Sequence, residues 1–496
     1  MLVEVTKVRV QVCLELVIKR GQTHFTKQMR LSPFPRALLK SDIRNARRIA
    51  VNLRIPLAAL LLAASAQAQP PGRSDPSFSQ PSLAPGVDYV VPAEADIKAT
   101  LDRVRDYFVR STPYRIIDTR TGQPIADFSR PIQTAALDSR GGQFNDWDYP
   151  MGVVLAGMLL ATEVTGDSRY QEYTLKNFDF VFDHLDYFRK QVSEFGPPSH
   201  GFRQLLDTRA LDDCGAIGAA LVKAYDKKRD PRYRATIDAI ADFIAHKQMR
   251  MPDGTLARAR PLPVSLWIDD AYMSIPFLAQ MGRLTGDRTW FDDAARQVIQ
   301  MSQRLQDPAT GLYHHSWYEN NEHPAFYWGR GAGWGLMAAA ELLSVLPQDH
   351  PSRGRVLEIF QRGARGAASV ESGVGMWHQM LDKTDSYLET SASAMFTFAI
   401  ARGVNRGWLS PAYGPVAQTG WQAVSKRVLP DGRIECICGS TTAAYDSVYY
   451  YNRPTDLGAM QGYGPVLMAG AEVIAMLRSF DVSRSLNTFH YKARKP

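Results

Sequence analysis

Thr165-Gly166-Asp167-Ser168-Arg169-Tyr170, Lys228-Arg229-Asp230-Pro231-Arg232-Tyr233 and Thr285-Gly286-Asp287-Arg288-Thr289-Trp290 follow one plan. Each lies between two apolar helix patterns, ending one helix and opening the next. Turns of this kind at intervals of roughly 55 to 65 residues are how a repeated helical hairpin shows in sequence. Working outward from them, apolar, small-residue-rich segments that predict buried helices start near Tyr149, Cys214, Ala271, Gly333, Thr390 and Gly464. Most are followed by a helix whose apolar positions recur at three and four, as in residues 233–244, with charges between them. That is the pattern of an outer helix covering an inner one. Six such pairs predict an all-α fold, the (α/α)6 barrel of six helical hairpins. An open α-solenoid of the same helices is the alternative, and it needs polar caps. Strand-like runs are few, with 434–437 and 447–451 the best, which argues against an α/β fold.

The chain of 496 residues, 45% of them hydrophobic, is long enough for a sizeable core. Its pI near 9.2 comes from the first 68 residues, which hold 12 Lys and Arg against 3 Asp and Glu. The remaining chain holds 46 against 47, a net charge of −1, so the basic balance gives no support for a nucleic-acid partner. Arg44, Arg47, Arg48 and Arg54 precede an apolar run over 55–64 and then Ala66-Gln67-Ala68, the order of a secretory signal with cleavage expected after Ala68. An uncleaved anchor is the other option, but the run is shorter than the ~20 residues of a spanning helix. Met29 stands as an alternative start. Residues 1–68 are thus expected to be a leader with a secretory signal peptide, 69–92 a flexible linker, and 93–496 a single (α/α)6-barrel catalytic domain. The expected location is outside the cytoplasm, periplasmic or secreted, with no stable membrane insertion after cleavage.

Cys13 falls in the leader, and Cys436 and Cys438 are too close in sequence for an unstrained disulfide, with Cys214 far away. No metal-ligand spacing, nucleotide loop or dinucleotide fingerprint is present, so no metal and no cofactor are expected.

Polar chemistry gathers where the inner helices begin: Asn145-Asp146-Trp147-Asp148-Tyr149, Asp212-Asp213, Trp267-Ile268-Asp269-Asp270, Trp328-Gly329-Arg330-Gly331 and Glu389. Parallel inner helices would bring these starts to one mouth. A single Asp there is an ordinary N-cap. Paired Asp residues exceed that need, so one of each pair is assigned to capping and the other to the cavity, where desolvation among aromatics would raise its pKa and suit a general acid. Trp147, Trp317, Trp328 and Trp334 offer flat faces beside His314, His315 and Arg330, the content of a sugar site, although Trp also fills cores. Gly331, Ala332 and Gly333 after Arg330 allow close approach of an anion at a helix start.

The set Leu211-Asp-Asp-Cys-Gly-Ala-Ile-Gly, Leu266-Trp-Ile-Asp-Asp-Ala-Tyr-Met, Gly311-Leu-Tyr-His-His-Ser-Trp, Trp328-Gly-Arg-Gly-Ala-Gly-Trp and Glu389-Thr-Ser-Ala-Ser-Ala-Met-Phe resembles glycoside hydrolase family 105 over about residues 95 to 480. The family contains the unsaturated rhamnogalacturonyl and related unsaturated glucuronyl hydrolases. The resemblance implies an (α/α)6 barrel that hydrates the enol ether of a 4,5-unsaturated uronic acid at the non-reducing end of lyase products, here pectin or rhamnogalacturonan derived. It assigns Asp269 as the catalytic acid that also activates water, and Asp213 as a second carboxylate, with Asp212 in that place if the helix is shifted by one. Tyr149, His315, Trp328, Arg330 and Trp334 become substrate-binding residues. Two departures bear on subsite preference: Arg258 and Arg260 stand where some members carry a His, and Tyr318-Glu319 stands where Asp-Glu is frequent. The same residues leave two alternatives, an inverting glycosidase on saturated sugars using Asp269 and Asp213, and a noncatalytic carbohydrate-binding barrel.

Overall fold

The computed structural model describes residues 90–139, 144–196, 201–485 and 488–494. The expected leader and residues 69–89 of the expected linker lie outside the described residues. Among the described residues, twelve helices carry the architecture: α1 (Glu94–Ser111), α2 (Tyr149–Thr165), α3 (Ser168–Phe195), α4 (Gly215–Lys227), α5 (Pro231–Asp242), α6 (Ile275–Thr285), α7 (Arg288–Leu305), α8 (Gly329–Val345), α9 (Arg353–Ser369), α10 (Thr390–Asn405), α11 (Gly414–Ser425) and α12 (Tyr463–Ser479). The even-numbered helices pack each on the next, and α12 packs back on α2, which closes a ring. Outside it, α3, α5, α7, α9 and α11 each cover the inner helix before them, and α1 covers α12. This is the (α/α)6 barrel, and the α12–α2 contact excludes the open solenoid.

Composition explains which helix goes where. α2 is buried without a break from Pro150 to Leu159, so it must be surrounded by protein. In contrast, α7 buries Phe291, Ala294, Ala295, Val298, Met301, Ser302 and Leu305, one stripe at helical spacing, and turns its charged residues outward. Glycines let the inner helices touch through their backbones. A Cβ at Gly152 of α2 would lie 2.3 Å from the Ile217 nitrogen of α4, and one at Gly464 of α12 would lie 2.5 Å from the Val153 carbonyl carbon of α2.

The three repeated turns sit at the C-terminal ends of α2, α4 and α6. Gly166 and Gly286 end their helices in the left-handed region, at φ 74° each, where a side chain would be strained. Asp167, Asp230 and Asp287 cap the outer helices that follow, accepting from the backbone N–H of Arg169, Arg232 and Thr289. At the same end of the ring, a buried ion network links four inner helices. Lys223 Nζ lies 2.6 Å from Glu341 Oε2, Arg402 Nη1 2.5 Å from Glu341 Oε1, and Arg402 Nε 2.7 Å from Glu472 Oε1.

Two local expectations are corrected. The third inner helix is not continuous from Ala271: a single turn, Asp269–Tyr272, precedes α6, with a break at Met273 and Ser274. Pro276 has no N–H to continue the ladder, and the start of α4 presses on the break, since a Cβ at Gly215 would lie 1.6 Å from the Met273 carbonyl oxygen. Residues 447–451 form a short helix capped by Asp446, and Ile434 makes only an isolated bridge to Val428. Among the described residues the strands are three short antiparallel pairs: β1 (Ile116–Asp118) with β2 (Ala135–Leu137), β3 (Ser265–Trp267) with β4 (Ser316–Tyr318), and β5 (Phe480–Ser485) with β6 (Thr488–Ala493). No helix of the described residues is long and apolar enough to cross a membrane.

Gly152→Ala is therefore expected to lower stability by about 1–3 kcal/mol or to prevent folding, because the clash is with backbone that cannot rotate away. Gly354→Ala, in α9, meets nothing within 4 Å. It should be neutral or stabilise by up to about 1 kcal/mol. Urea denaturation of both variants checks the pair, and equal effects would contradict the close-approach role of Gly152.

Candidate active site

The inner helices run parallel, so their N-termini share the mouth opposite the capped turns. A cavity of about 360 Å³ opens there, with Tyr149, Asp212, Arg258, Arg260, Trp267 and Asp269 on its walls together with Ser440, Thr441, Thr442 and Tyr449. Asp269 opens the single turn before α6. The β3–β4 ladder pairs Trp267 with Ser316 and continues through an Ile268 N–H donated to the His315 carbonyl, which sets His315 beside Asp269 although 46 residues separate them.

His315 Nε2 lies 3.0 Å from Asp269 Oδ2, an ion-pair distance. The ring N–H is not aligned with that oxygen, so both atoms are buried without a hydrogen-bond partner among the described residues. Such a pair is costly in a closed core and is expected where a water or ligand completes it. Burial acts to raise the Asp269 pKa, but the attraction and proximity of His315, then Arg258 and Arg330, outweigh it and hold the carboxyl below its ordinary value. The expectation of a raised pKa is thereby corrected for the free protein: burial is real, yet three basic groups surround the carboxylate.

In each Asp pair one carboxylate is structural and one faces the cavity. For Asp212 and Asp213 the assignment is the reverse of the first expectation. Asp213 accepts from Arg203 Nη2 at 2.9 Å and from the backbone N–H groups of Arg209 and Ala210 at 2.8 and 3.1 Å, which ties it to its own turn. Asp212 lines the cavity and takes both Arg258 Nη atoms at 2.9 Å. The same guanidinium reaches Asp270, with Nε to Oδ2 at 2.7 Å and Nη2 to Oδ1 at 2.5 Å. Asp270 is thus the buried member of its pair. Glu389 caps α10, accepting from the Ser391 and Ala392 N–H groups and from Cys438 N.

Three other predicted binding residues lie behind the wall instead of on it. Arg330, 1% exposed, donates to the Cys438 and Gly439 carbonyls at 2.6 and 2.7 Å. It tethers the segment that carries Ser440, Thr441 and Thr442. Trp328 is enclosed with Phe326, Met380, Cys438 and Tyr450, its ring 4.4 Å from that of His315, which it supports. Trp334 packs on Tyr272 with ring centres 4.8 Å apart and is 1% exposed. Inner helices need large side chains to fill the ring, and these two indoles serve that need. Tyr149 does reach the cavity. Its hydroxyl accepts from Gln461 at 3.4 Å, and burial pushes its pKa up to about 12, so it stays a neutral hydrogen-bonding group. Trp147 is core, with its indole N–H donated to the Asp213 carbonyl. His314 and Trp317 border a separate cavity of about 580 Å³.

Tyr450 was not anticipated. Its hydroxyl lies 2.5 Å from His315 Nδ1, and the Ala444 N–H donates to the same oxygen at 3.1 Å. Burial raises the pKa of the phenol, which keeps its proton. With the oxygen already accepting from Ala444, the phenol proton is assigned to Nδ1, leaving the ring proton on Nε2, the nitrogen nearer Asp269. A half-buried acid beside an oriented imidazole, a neutral phenol and an open polar cavity can deliver a proton and hold a water. Cys214, Cys436 and Cys438 are free thiols, and no group of three metal-ligating side chains occurs among the described residues.

The model of Glycosyl Hydrolase Family 88 matches residues 129–477. The unsaturated rhamnogalacturonyl hydrolase YesR of Bacillus subtilis (strain 168) is 28% identical over 325 residues, 64% of this chain and 86% of its own length. An unsaturated 3S-rhamnoglycuronyl hydrolase of Alteromonas sp. (strain LOR) is 30% identical over 216 residues, 42% of this chain and 51% of that protein. Among solved structures, a possible member of the GH105 family from Salmonella enterica superposes with a TM-score of 0.61 at 22% identity, covering 82% of this chain and 99% of that one. That likeness shows the fold.

The tautomer of His315 is open to direct measurement. Nitrogen-15 imidazole spectra should show His315 in the Nε2–H form, and Tyr450→Phe should weaken that preference while the helical circular dichroism is kept. A wild-type spectrum dominated by Nδ1–H would contradict the assigned hydrogen-bond direction.

Proposed function

The chain belongs to glycosyl hydrolase family 88, and from that membership and the acid at the cavity floor we propose that it removes a 4,5-unsaturated uronic acid from the non-reducing end of lyase-generated oligosaccharides, with pectin and rhamnogalacturonan as sources. The carrying observation is Asp269, half-buried on the cavity wall, with its buried Oδ2 at the ion-pair distance from His315 and without a hydrogen-bond partner among the described residues. The names of two relatives, unsaturated rhamnogalacturonyl and unsaturated 3S-rhamnoglycuronyl hydrolase, support the substrate class.

In the proposed reaction Asp269 gives its proton to C4 of the C4=C5 double bond, and the positive charge forms at C5, shared with the ring oxygen. Water adds at C5, returning a proton to Asp269, and the resulting hemiketal opens to a ketone. The released C1 hemiacetal then expels the aglycone as an alcohol, so one water is consumed and the protonated form of Asp269 is restored. Asp269 needs a proton to begin. The substrate's own carboxylate, brought alongside, raises the pKa of Asp269 by like-charge repulsion. His315, oriented by Tyr450, is placed to steady the carboxylate as its charge changes, and Tyr149 offers a hydroxyl to the sugar. An inverting displacement on a saturated sugar needs two carboxyl groups about 6.5–9.5 Å apart across the bond. Asp213, the expected partner, is bound by Arg203 and by backbone, and Asp212 is paired with Arg258.

We also propose export through the 44–68 signal, and N-terminal sequencing of the mature protein should begin at Gln69.

Purified protein is expected to abolish the ultraviolet absorbance of the conjugated alkene in pectin-lyase products. Asp269→Asn should keep its helical spectrum and lose about 10²- to 10⁴-fold in rate, the usual size of general acid–base catalysis. Alkene absorbance that persists across pectin, ulvan and glycosaminoglycan lyase products would falsify the proposal. The pH dependence has a defined sign. Asp269 is held below its ordinary value in the free protein, and a bound anion raises it, so the limb reporting this acid should lie at higher pH in kcat than in kcat/KM. Coincident limbs would exclude the proposed effect of the substrate carboxylate.

A further inference from the structure

Resting on the hydrolase proposal, we infer that Arg260 and Trp267 form a subsite for the first sugar of the aglycone, and that it selects sugars carrying an anionic group. Three cations approach the cavity, and they differ in what they are free to do. Arg258 is consumed: its Nε, Nη1 and Nη2 all bond to Asp212 or Asp270, and its side chain is 6% exposed. Arg453, over the Tyr449 ring at 5.1 Å, donates to the Ser440 carbonyl and serves the wall. Arg260 has no hydrogen bond among the described residues. Its side chain is 59% exposed, and its guanidinium meets Asp212 only at 3.7 Å, a distance for loose attraction.

The position of Arg260 decides which part of the substrate it meets. Asp269, where the reacting ring must lie, is 16% exposed, and the charges that hold its carboxyl low are those of His315, Arg258 and Arg330. Arg260 is at the rim, its guanidinium 4.9 Å from the Trp267 ring centre. Trp267 lines the cavity, and its indole N–H is buried with no hydrogen-bond partner among the described residues. The Trp267 ring, 6% exposed, carries Arg258 at 4.5 Å as well as Arg260, so it holds the Arg260 guanidinium in place, and a guanidinium without hydrogen bonds on the cavity wall is what a sugar bearing a carboxylate or sulfate would use for a forked ion pair. Arg258 is shared between Asp212 and Asp270, so Arg260 is the arginine of this wall with donors left for an incoming anion.

The test uses the full protein and three unsaturated uronyl disaccharides whose second sugar is neutral, carries a carboxylate, or carries a sulfate, with alkene loss as the readout. The wild type should favour an anionic aglycone over the neutral one in kcat/KM by about tenfold or more, the size of a charged hydrogen bond. Arg260→Ala should remove most of that preference, and Arg260→Lys should keep part of it. Preference for only the carboxylate or only the sulfate supports the site and names its anion. If the wild type treats all three alike, or if Arg260→Ala lowers all three in proportion, the inference is overturned, the second result placing Arg260 against the reacting ring instead. Absence of alkene loss from every substrate overturns the hydrolase proposal itself and this inference with it, and so is distinct from a failure of the subsite alone.

Discussion

Backbone contact between neighbouring inner helices is the constraint on which the rest depends. Gly152 against Ile217 and Gly464 against Val153 let α2 meet α4 and α12 without side chains between them. Six helices closed at that spacing leave a narrow axis and align their N-termini at one mouth. The unsatisfied N–H groups and positive ends of the helix dipoles then face the same space, which favours carboxylates and anionic ligands there. At the other end, Glu341 and Glu472 are buried only because Lys223 and Arg402 neutralise them. Those ion pairs tie α4, α8, α10 and α12 together, so the ring is fixed from both ends by different physics.

Arg258 organises the charge of the cavity. Largely buried, it is tolerable because Asp212 and Asp270 take all its donors on the sides they face. Losing one partner from such a buried cluster typically costs about 3–5 kcal/mol, since it leaves a charge uncompensated. The division of labour frees Asp269. That carboxylate feels nearby positive charge yet has an oxygen without a hydrogen bond, a state a purely structural Asp would not keep. Behind it, His315, Trp328 and Tyr450 pack as one unit, and Arg330 anchors the entry to the segment that brings Tyr450 in.

Much of the fold was legible because hydrophobic periodicity and turn chemistry are local. The apolar stretches at Tyr149, Thr390 and Gly464 could only be buried helices, and the Gly and Asp of the turns have the single roles that φ and capping give them. Asp212 and Asp213 show where legibility ends. Both stand at the start of one helix, and the choice between them depends on whether the chain enters as an α-turn or as the 3-10 turn of Leu211–Asp213, a difference of one residue in phase. Trp328 and Trp334 looked like sugar platforms because an indole at a helix start has the same composition whether it faces a cavity or fills a core. Trp267 is the indole that reaches the cavity, and its placement follows from the β3–β4 pairing.

Tyr450 carried no local signal. It lies in a run of tyrosines that reads as a strand, 135 residues from the imidazole it contacts. Sequence by itself determined the repeat of six hairpins and the end of the barrel where polar residues collect, Asp269 among them. Tertiary structure decided which carboxylate of each pair faces the cavity, which arginine is consumed and which is free, and which hydroxyl orients His315. The reason is physical: helix identity and capping depend on neighbours within a few residues, whereas desolvation, ion pairing and ring orientation depend on groups that only the closed ring brings together.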